Sequence, residues 1–221
     1  SCARLVLEGF MLAIICPTAT ACAVVTQKLG GDSAATTSYT IIINMVVALL
    51  CPALLPLAHP QPGLSFVPAF IVIINKVFPL LIMPLFLAWF VRYLMPGFHR
   101  RIVSTKDLAF YMWAVSLAIA IAVTCKALAH SHESMWHVGG IAVVTLVACL
   151  FQFGFGRWIG RHYGVQMEAG QALGQKNTVF IIWLGYTFLS PITAAAGGFY
   201  SVWHNLVNSW QLYKKRKMSD D

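Results

Sequence analysis

Residues Val165 to Leu189 read VQMEAGQALGQKNTVFIIWLGYTFL, an apolar stretch of membrane-spanning length with the polar run Gly174-Gln175-Lys176-Asn177-Thr178 in its middle. About 20 mostly apolar residues are needed to cross a bilayer, so neither half can cross alone. Polar groups at that depth are costly, and unwound backbone is tolerated there only inside protein or beside a water-filled cavity. The pattern predicts a membrane helix that is broken near its midpoint; the alternative is a long loop.

A second apolar stretch, Leu5 to Val25, is interrupted in a similar way. It contains Cys16-Pro17-Thr18-Ala19-Thr20, in which the proline removes a backbone donor and small hydroxyl residues follow. An ordinary kink at Pro17 is the alternative. Two interrupted helices in one bundle are the best sequence indication of a transporter's binding site near the bilayer midplane.

The composition of the whole chain is that of a membrane protein. Of the 221 residues, 59% are hydrophobic and 10% are charged, whereas soluble domains average about a quarter charged residues. The predicted spans are Leu5 to Val25, Ala34 to Leu55, Phe66 to Leu94, Leu108 to Ala129, Met135 to Phe155, Val165 to Leu189 and Ile192 to Leu212. No linker divides residues 1–221, so we predict a single all-α integral membrane domain, with Asp32 capping its second helix.

The basic residues predict how this bundle lies in the membrane. If the C-terminal tail with Lys214, Lys215, Arg216 and Lys217 is cytoplasmic, then Lys28, the loop 92–106 and the loop 157–161 also lie inside. Nearly every loop cation then obeys the positive-inside rule. We therefore predict a multi-pass protein of the plasma or inner membrane whose lipid bilayer is its main partner. The cations behind the net charge of +8 lie mainly in these loops and in the tail, as the positive-inside rule explains. No nucleic-acid partner is therefore predicted.

Metal and catalytic sites are not predicted. The six cysteines lie in apolar runs without CxxC pairing and are expected to be small buried hydrophobic residues. The group His130-Ser131-His132-Glu133, with His137 beyond it, lacks the HExxH spacing of a zinc site, so an incidental polar loop is favoured. No Ser-His-Asp set or paired-carboxylate site is present, so we predict that the protein is not an enzyme and carries no cofactor.

Three motifs resemble the bile acid:sodium symporter family. The segment Pro17-Thr18-Ala19-Thr20-Ala21-Cys22-Ala23-Val24-Val25-Thr26, followed by Gly31-Asp32, resembles its first broken helix. Gly174-Gln175-Lys176-Asn177 resembles its second, and Tyr200-Ser201-Val202-Trp203-His204-Asn205 resembles the start of its last helix. The similarity follows the helix order along the whole chain.

The resemblance implies a fold of ten helices in two inverted repeats, with a core domain whose broken helices cross and a panel domain. The seven spans would be the fourth to the tenth helix. Residues 1–55 and 135–213 would then be core-type helices and residues 66–129 panel-type helices. Because Ser1 already lies at the edge of an apolar run, the missing N-terminal helices are expected upstream of it.

The resemblance also implies sodium-coupled uptake of organic anions, but the sodium ligands differ in this chain. The small polar pair of the first motif falls on Cys22 and Ala23, and the ligand threonine of the next helix is matched by Thr40. The glutamate of the second broken helix falls on Ala172, and its glutamine falls on Lys176, beside Gln175. Sodium needs several oxygen ligands, so sodium is expected to be bound in an altered way or not at all.

Two residues could compensate for the missing sodium ligands. Glu168, one helical turn before Ala172, could supply a displaced carboxylate. Lys176 could stand where sodium would sit, as a tethered cation that can exchange protons, which predicts proton-coupled or uncoupled transport. The alternatives for Lys176 are a structural pair with Glu168 and snorkelling to water.

The predicted substrate is a small organic anion. Asn177 and Thr178 would open the second half-helix, whose positive end favours a carboxylate or sulfonate, with simple N-capping by Asn177 as the alternative. The resemblance adds Thr20 to the substrate-binding residues. It also adds His204 and Asn205, for which helix–helix hydrogen bonding is the alternative. The predicted function is secondary active transport of an organic anion by alternating access. The rivals are a non-transporting receptor or scaffold of the same fold and a membrane-embedded metal hydrolase that uses the residues from His130 to His137. The sequence indicates no oligomeric state.

Overall fold

The structure, a computed structural model, describes residues 2–60, 65–105, 108–130 and 134–220. Every named element in these ranges is a helix. The helices are α1 (Cys2–Ile15), α2 (Cys22–Lys28), α3 (Ser33–Ala58), α4 (Phe66–Leu94), α5 (Pro96–Ser104), α6 (Leu108–Ala129), α7 (Met135–His162), α8 (Gln166–Gly174), α9 (Thr178–Phe188) and α10 (Pro191–Asp220).

The predicted all-α architecture is confirmed, and most predicted helices begin and end within a few residues of their expected positions. The first and sixth stretches are each formed by two helices, α1 with α2 and α8 with α9. α5 was not predicted. It occupies the basic loop after α4, where Pro96 suits the first helical position because its missing N–H has no partner there in any case. α10 continues past the predicted end at Leu212 into the basic tail.

Three helices, α3, α4 and α7, are long and apolar enough to cross a membrane by themselves. The shorter apolar segments are Ala114–Ala129 and Thr178–Phe188. Among the described residues, these helices are distinguished by their length and apolar composition. The structure is therefore compatible with a membrane helical bundle, while the count of seven spans and the side of the C-terminus stay predictions.

The chain forms two compact units. The first comprises Ser1–Thr40 and Ser116–Asp221, and the second comprises Ile41–Val115. The boundaries fall within α3 and α6. The sequence predicts one domain, with its divisions between helices: core-type helices at 1–55 and 135–213 and panel-type helices at 66–129. This assignment stays a prediction.

In the first unit, α7 and α8 approach closely because glycine lines their contact. A Cβ atom on Gly160 would lie 2.6 Å from the carbonyl oxygen of Val165, and one on Gly156 would overlap the carbonyl oxygen of Ala169. These two glycines form a GxxxG sequence, which allows close backbone approach between membrane helices. The short helix α8 is thereby held against the long helix α7.

The core of the first unit joins α1, α7 and α10. Its buried residues are Ala13, Ala148, Cys149, Phe153 and Tyr200. α9 packs on α10 through glycine as well, because a Cβ atom on Gly197 would lie 2.7 Å from the carbonyl oxygen of Thr178. This packing fixes the helices that carry the second break.

In the second unit, α4 buries one narrow stripe and exposes the rest of its apolar surface. The buried residues Ala69, Ile73, Val77 and Leu81 recur every four positions, which is the spacing of one helix face. Phe78, Met83, Phe86 and Leu87 are among the exposed ones. Such an apolar exterior is what a helix in contact with lipid presents.

Two local predictions can be checked directly. Asp32 caps α3 as expected, since its Oδ1 accepts hydrogen bonds from the backbone N–H groups of Ala34 (2.7 Å) and Ala35 (3.2 Å). The cysteines Cys16, Cys22, Cys51 and Cys149 are free and buried, as predicted. Cys125 is free but exposed on α6, so the prediction that it is buried is wrong. The side chain of Cys2 lies outside the described residues.

Candidate functional site

The two predicted helix breaks lie side by side. The first comprises residues 16–21, between α1 and α2, and the second comprises residues 175–177, between α8 and α9. Thr18 and Lys176 form an antiparallel bridge. The N–H of Ala19 donates to the carbonyl oxygen of Gln175 at 2.8 Å, and the N–H of Asn177 donates to that of Pro17, also at 2.8 Å. We call this junction of the two breaks the crossing. Both helices are discontinuous, and a long loop and an ordinary proline kink are ruled out.

Carbonyl groups at the end of α1 accept hydrogen bonds from side chains of the second break and of α7. The Lys176 ammonium donates to the carbonyl oxygen of Ile14 at 3.0 Å. The Gln152 amide nitrogen, on α7, donates to the carbonyl oxygen of Ala13 at 3.2 Å. The last carbonyls of a helix lack partners within the helix and carry partial negative charge. The ammonium therefore lies where a helix end favours a cation.

The carbonyl end of α8 is satisfied by hydroxyl groups. The Thr18 hydroxyl donates to the carbonyl oxygen of Ala172 at 2.5 Å, and the Tyr200 hydroxyl donates to that of Gly174 at 2.9 Å. The Tyr200 oxygen in turn accepts a hydrogen bond from the Gln152 amide at 3.1 Å. Gln152 and Tyr200 thus connect the carbonyl ends of both broken helices.

Lys176 is enclosed by the protein at this point. Its exposed fraction is 8%, which does not fit a side chain that snorkels to open water. A buried ammonium needs hydrogen-bond acceptors for its three N–H groups and a compensating negative potential. The carbonyl oxygen of Ile14 supplies one hydrogen-bond acceptor, and the negative end of α1 supplies part of the compensating potential.

Glu168 lies at the other end of α8, in its first turn. Its Oε1 accepts a hydrogen bond from the backbone N–H of Asp32 at 2.6 Å. With a rise of about 1.5 Å per residue, the helical segment from Glu168 to the end of α8 at Gly174 is roughly 9 Å long, and Lys176 lies beyond it. The structure thus engages this carboxylate with the loop before α3. A role of Glu168 in ion coupling stays a prediction.

The remaining predicted ion-coupling residues occupy different positions. Cys22 begins α2, is buried, and its backbone N–H donates to the carbonyl oxygen of Ala19 at 3.0 Å. Gln175 belongs to the crossing, and its buried Oε1 has no hydrogen-bond partner among the described residues. Thr40 is buried on α3, where its hydroxyl donates to the carbonyl oxygen of Thr36 at 2.8 Å.

The predicted substrate residues fall into two groups. Asn177 and Thr178 lie where α9 leaves the crossing, and Asn177 caps the helix by accepting from the N–H of Phe180 at 3.1 Å, as predicted. Thr20 is an exposed residue of the first break. His204 and Asn205 lie on α10, within the first unit. The Asn205 amide donates to its own helix at 2.7 Å.

His204 belongs to a buried polar face of α10 that was not predicted as a whole. The face comprises Ser201, His204, Asn208 and Gln211. On α8, the Gln171 amide nitrogen donates to Asn208 Oδ1 and to Gln211 Oε1, at 3.0 Å each. The spacing of three, four and three residues is that of one helix face and is visible in the sequence. The sequence does not indicate that Gln171 of α8 faces these residues; this contact is seen only in the structure.

Several polar atoms of this face and of Gln171 opposite it are buried without a hydrogen-bond partner among the described residues. They are Gln171 Oε1, Ser201 Oγ, His204 Nδ1 and Asn208 Nδ2. A buried unpaired polar group costs about 1–3 kcal/mol, so native proteins usually satisfy it with water or a ligand. The interface of α8 and α10 therefore has unused capacity for polar molecules.

Glu8 and Lys76 are two further charged residues in apolar helices. Glu8 pairs with Arg4 at 2.9 Å and also accepts a hydrogen bond from the Thr193 hydroxyl at 3.2 Å. Lys76 lies on the exposed side of α4. Neither residue is part of the crossing.

The structure describes the proposed hydrolase cluster only in part, since Ser131, His132 and Glu133 lie outside the described residues. His130 Nδ1 lies 2.9 Å from the carbonyl oxygen of Lys126. In the part of the chain that is described, no group of three or more His, Cys, Asp or Glu side chains is arranged to hold a metal ion.

Comparison with known protein families and with characterised proteins gives no match to this chain.

Proposed function

We propose that this protein is a secondary active transporter of a small organic anion that works by alternating access. In this proposal it is a multi-pass protein of the plasma or inner membrane with a cytoplasmic C-terminus, and it has the inverted-repeat fold of the bile acid:sodium symporters. The observation that carries the proposal is the crossing of two broken helices with the Lys176 ammonium at its centre.

The crossing supports transport because broken helices bring backbone charge to the middle of a membrane. Half-helix ends at a midplane crossing bind ions and substrates in many secondary transporters. Here the carbonyl ends of α1 and α8 are covered by Lys176, Gln152, Thr18 and Tyr200. The amide end of α9 begins at Thr178 and favours an anion. The substrate carboxylate or sulfonate would bind at that end.

Lys176 supports altered ion coupling. In sodium-coupled carriers, carbonyl ends of half-helices contribute to sodium binding. In this chain a covalently attached ammonium donates to one such carbonyl, that of Ile14. Sodium would have to compete with a cation that never leaves the protein. We therefore propose uncoupled or proton-coupled transport, with Lys176 in place of the coupling ion.

The test is anion uptake into proteoliposomes that contain the purified protein, using a radiolabelled bile acid, keto acid, pantoate and an alkyl sulfonate. Uptake of at least one probe is expected, with an initial rate that does not change when external sodium is replaced by potassium. A hydrogen bond to a charged group contributes about 1.5–3 kcal/mol, so Lys176→Gln should lower the rate about tenfold or more.

Lys215→Gln is the matched control for this test. The Lys215 ammonium also donates to a half-helix carbonyl at 3.0 Å, that of Lys28 at the end of α2, but at an exposed position. Its removal should leave the rate nearly unchanged. A steep loss of uptake without sodium would refute the altered coupling. Absence of flux for all probes would favour the non-transporting receptor or scaffold.

A further inference from the structure

An apolar groove runs along the first unit between α7 and α10, apart from the crossing. Its volume is about 460 Å³, within the range of roughly 300–1,000 Å³ that is typical of small-molecule sites. The groove is walled by Leu146, Leu150 and Phe153 of α7 and by Trp203, Leu206 and Val207 of α10. A slot of this shape and lining suits a hydrocarbon chain.

Arg157 lines the same groove and gives it a charged end. Its aliphatic stem lies across Gly170 of α8, where a Cβ atom would come within 2.6 Å of Arg157 Cγ. Its Nη2 lies 3.6 Å from the Met167 sulfur, which is a weak acceptor. In the part of the chain that the structure describes, Arg157 forms no ion pair. The guanidinium thus keeps most of its five N–H donors for an anion.

Further cations lie near that end of the groove. Arg161 follows one turn later on α7 and is exposed. The Lys214 ammonium lies 5.6 Å from the ring centre of Trp210, which also lines the groove. Arginine binds phosphate through two parallel hydrogen bonds, so this end suits a phosphate group.

The level of Arg157 on α7 matches that of lipid headgroups. α7 is long and apolar enough to cross a membrane, and Arg157 precedes its last residue, His162, by five positions, or roughly 7.5 Å of helix. Cations and tryptophans at that level are typical of the membrane–water interface. We propose that the groove binds one anionic phospholipid, whose phosphate contacts Arg157 and whose acyl chain lies between α7 and α10. This proposal depends on the membrane location and not on the transport function.

Tryptophan quenching by brominated lipids tests the proposal in liposomes of the purified protein. The measurement uses a protein in which Trp203 and Trp210 are the two tryptophans kept of the seven. Brominated phosphatidylglycerol should quench their fluorescence with an apparent affinity about fivefold higher than brominated phosphatidylcholine, since one basic residue contributes about 1 kcal/mol of attraction to anionic lipid. Arg157→Gln should remove this preference. Arg92→Gln, at the end of α4, should keep it. Equal quenching by both lipids, or an unchanged preference in Arg157→Gln, would overturn the proposal.

A second pair of variants tests the apolar part without touching a charge. Gly154 lines the groove, and a Cβ atom there meets no atom within 4 Å. Gly154→Leu should therefore fold normally and fill the groove, so that quenching by both lipids falls. Gly139 has the same open surroundings on α7 and is not among the lining residues, so Gly139→Leu should leave quenching unchanged. Equal quenching in Gly154→Leu and Gly139→Leu would show that no lipid occupies the groove. A third variant, Leu206→Cys, tests whether a second copy of the protein fills it. Cross-linking of Leu206→Cys between two copies, together with an absence of lipid quenching, would also overturn the proposal.

Discussion

Replacing Tyr200 by phenylalanine removes one hydroxyl group that bonds the end of α8 next to the crossing and leaves the ring in place. The side chain is fully buried (0% exposed). Its hydroxyl donates to the carbonyl oxygen of Gly174 at 2.9 Å and accepts from the Gln152 amide at 3.1 Å. Gln152 keeps its bonds to the carbonyl oxygens of Ala13 and Ala148, but the Gly174 carbonyl loses the Tyr200 hydroxyl as its donor. We expect Tyr200→Phe to be destabilised.

The expected size follows from the cost of a buried unpaired carbonyl, about 1–3 kcal/mol. For a protein of this length, each kcal/mol lowers the unfolding temperature by about 2–4 °C. Thermal unfolding of the purified variant in detergent should therefore show a midpoint roughly 4–8 °C below that of the parent protein, for a cost of about 2 kcal/mol. The control is Tyr213→Phe, because Tyr213 is 67% exposed and its change should fall within about 0.5 kcal/mol.

A double-mutant cycle locates the effect. If Tyr200 and Gln152 act as one network, then Tyr200→Phe and Gln152→Met should be non-additive by about 0.5–3 kcal/mol. A midpoint for Tyr200→Phe equal to that of Tyr213→Phe would refute the reasoning. Strict additivity would show that the two carbonyl ends are stabilised independently.

Two further predictions concern the second break. Gly174→Ala would place a Cβ atom in the ring of Phe153 and should lower the free energy of unfolding by about 1–3 kcal/mol through overpacking. Gly139→Ala, in open surroundings, is the control. Equal thermal unfolding midpoints of the two variants would contradict the close packing of Gly174 on Phe153. Asn177→Ala removes the cap on Phe180 N–H and should lower the free energy of unfolding by about 1 kcal/mol, while Asn177→Asp should retain it. An effect of Asn177→Ala on uptake alone would assign this side chain to the substrate and not to the helix.

Local features of the structure could be predicted because their causes lie within a few residues. Pro17 lacks a backbone donor, Asp32 and Asn177 are good helix caps, and the apolar runs have membrane length. These signals are sufficient for the two breaks and most helix ends. α5 was missed since its exposed apolar residues, such as Phe98 and Val103, are mixed with basic ones in a short segment. Its amphipathic character is clear only once the helix is known.

The partners at the crossing could not be predicted, because they lie far apart in the chain. Lys176 and Ile14 are separated by 162 residues, and Gln152 and Ala13 by 139. No local pattern specifies which carbonyl a buried amide or ammonium will reach. The sequence indicates only that Gln152 and Lys176 are polar residues in apolar surroundings and hence need partners. Packing determines the choice among the available helix ends.

If Lys176 replaces a mobile cation, as we propose, the direction of transport changes as well. A carrier that moves one sodium ion with each monovalent anion transfers no net charge, so the sodium gradient can accumulate the anion without opposition from the membrane potential. If Lys176 takes the place of the ion and exchanges no proton, a monovalent anion crosses with its own charge only, and a potential of 100 mV, negative inside, then favours exit by about 2.3 kcal/mol. At equal anion concentrations on the two sides, the net flux would then be outward. Net uptake under the same conditions would require that Lys176, or another group at the crossing, carries a proton inward with each anion. The response of uptake to an imposed potential therefore distinguishes the two forms of the proposal.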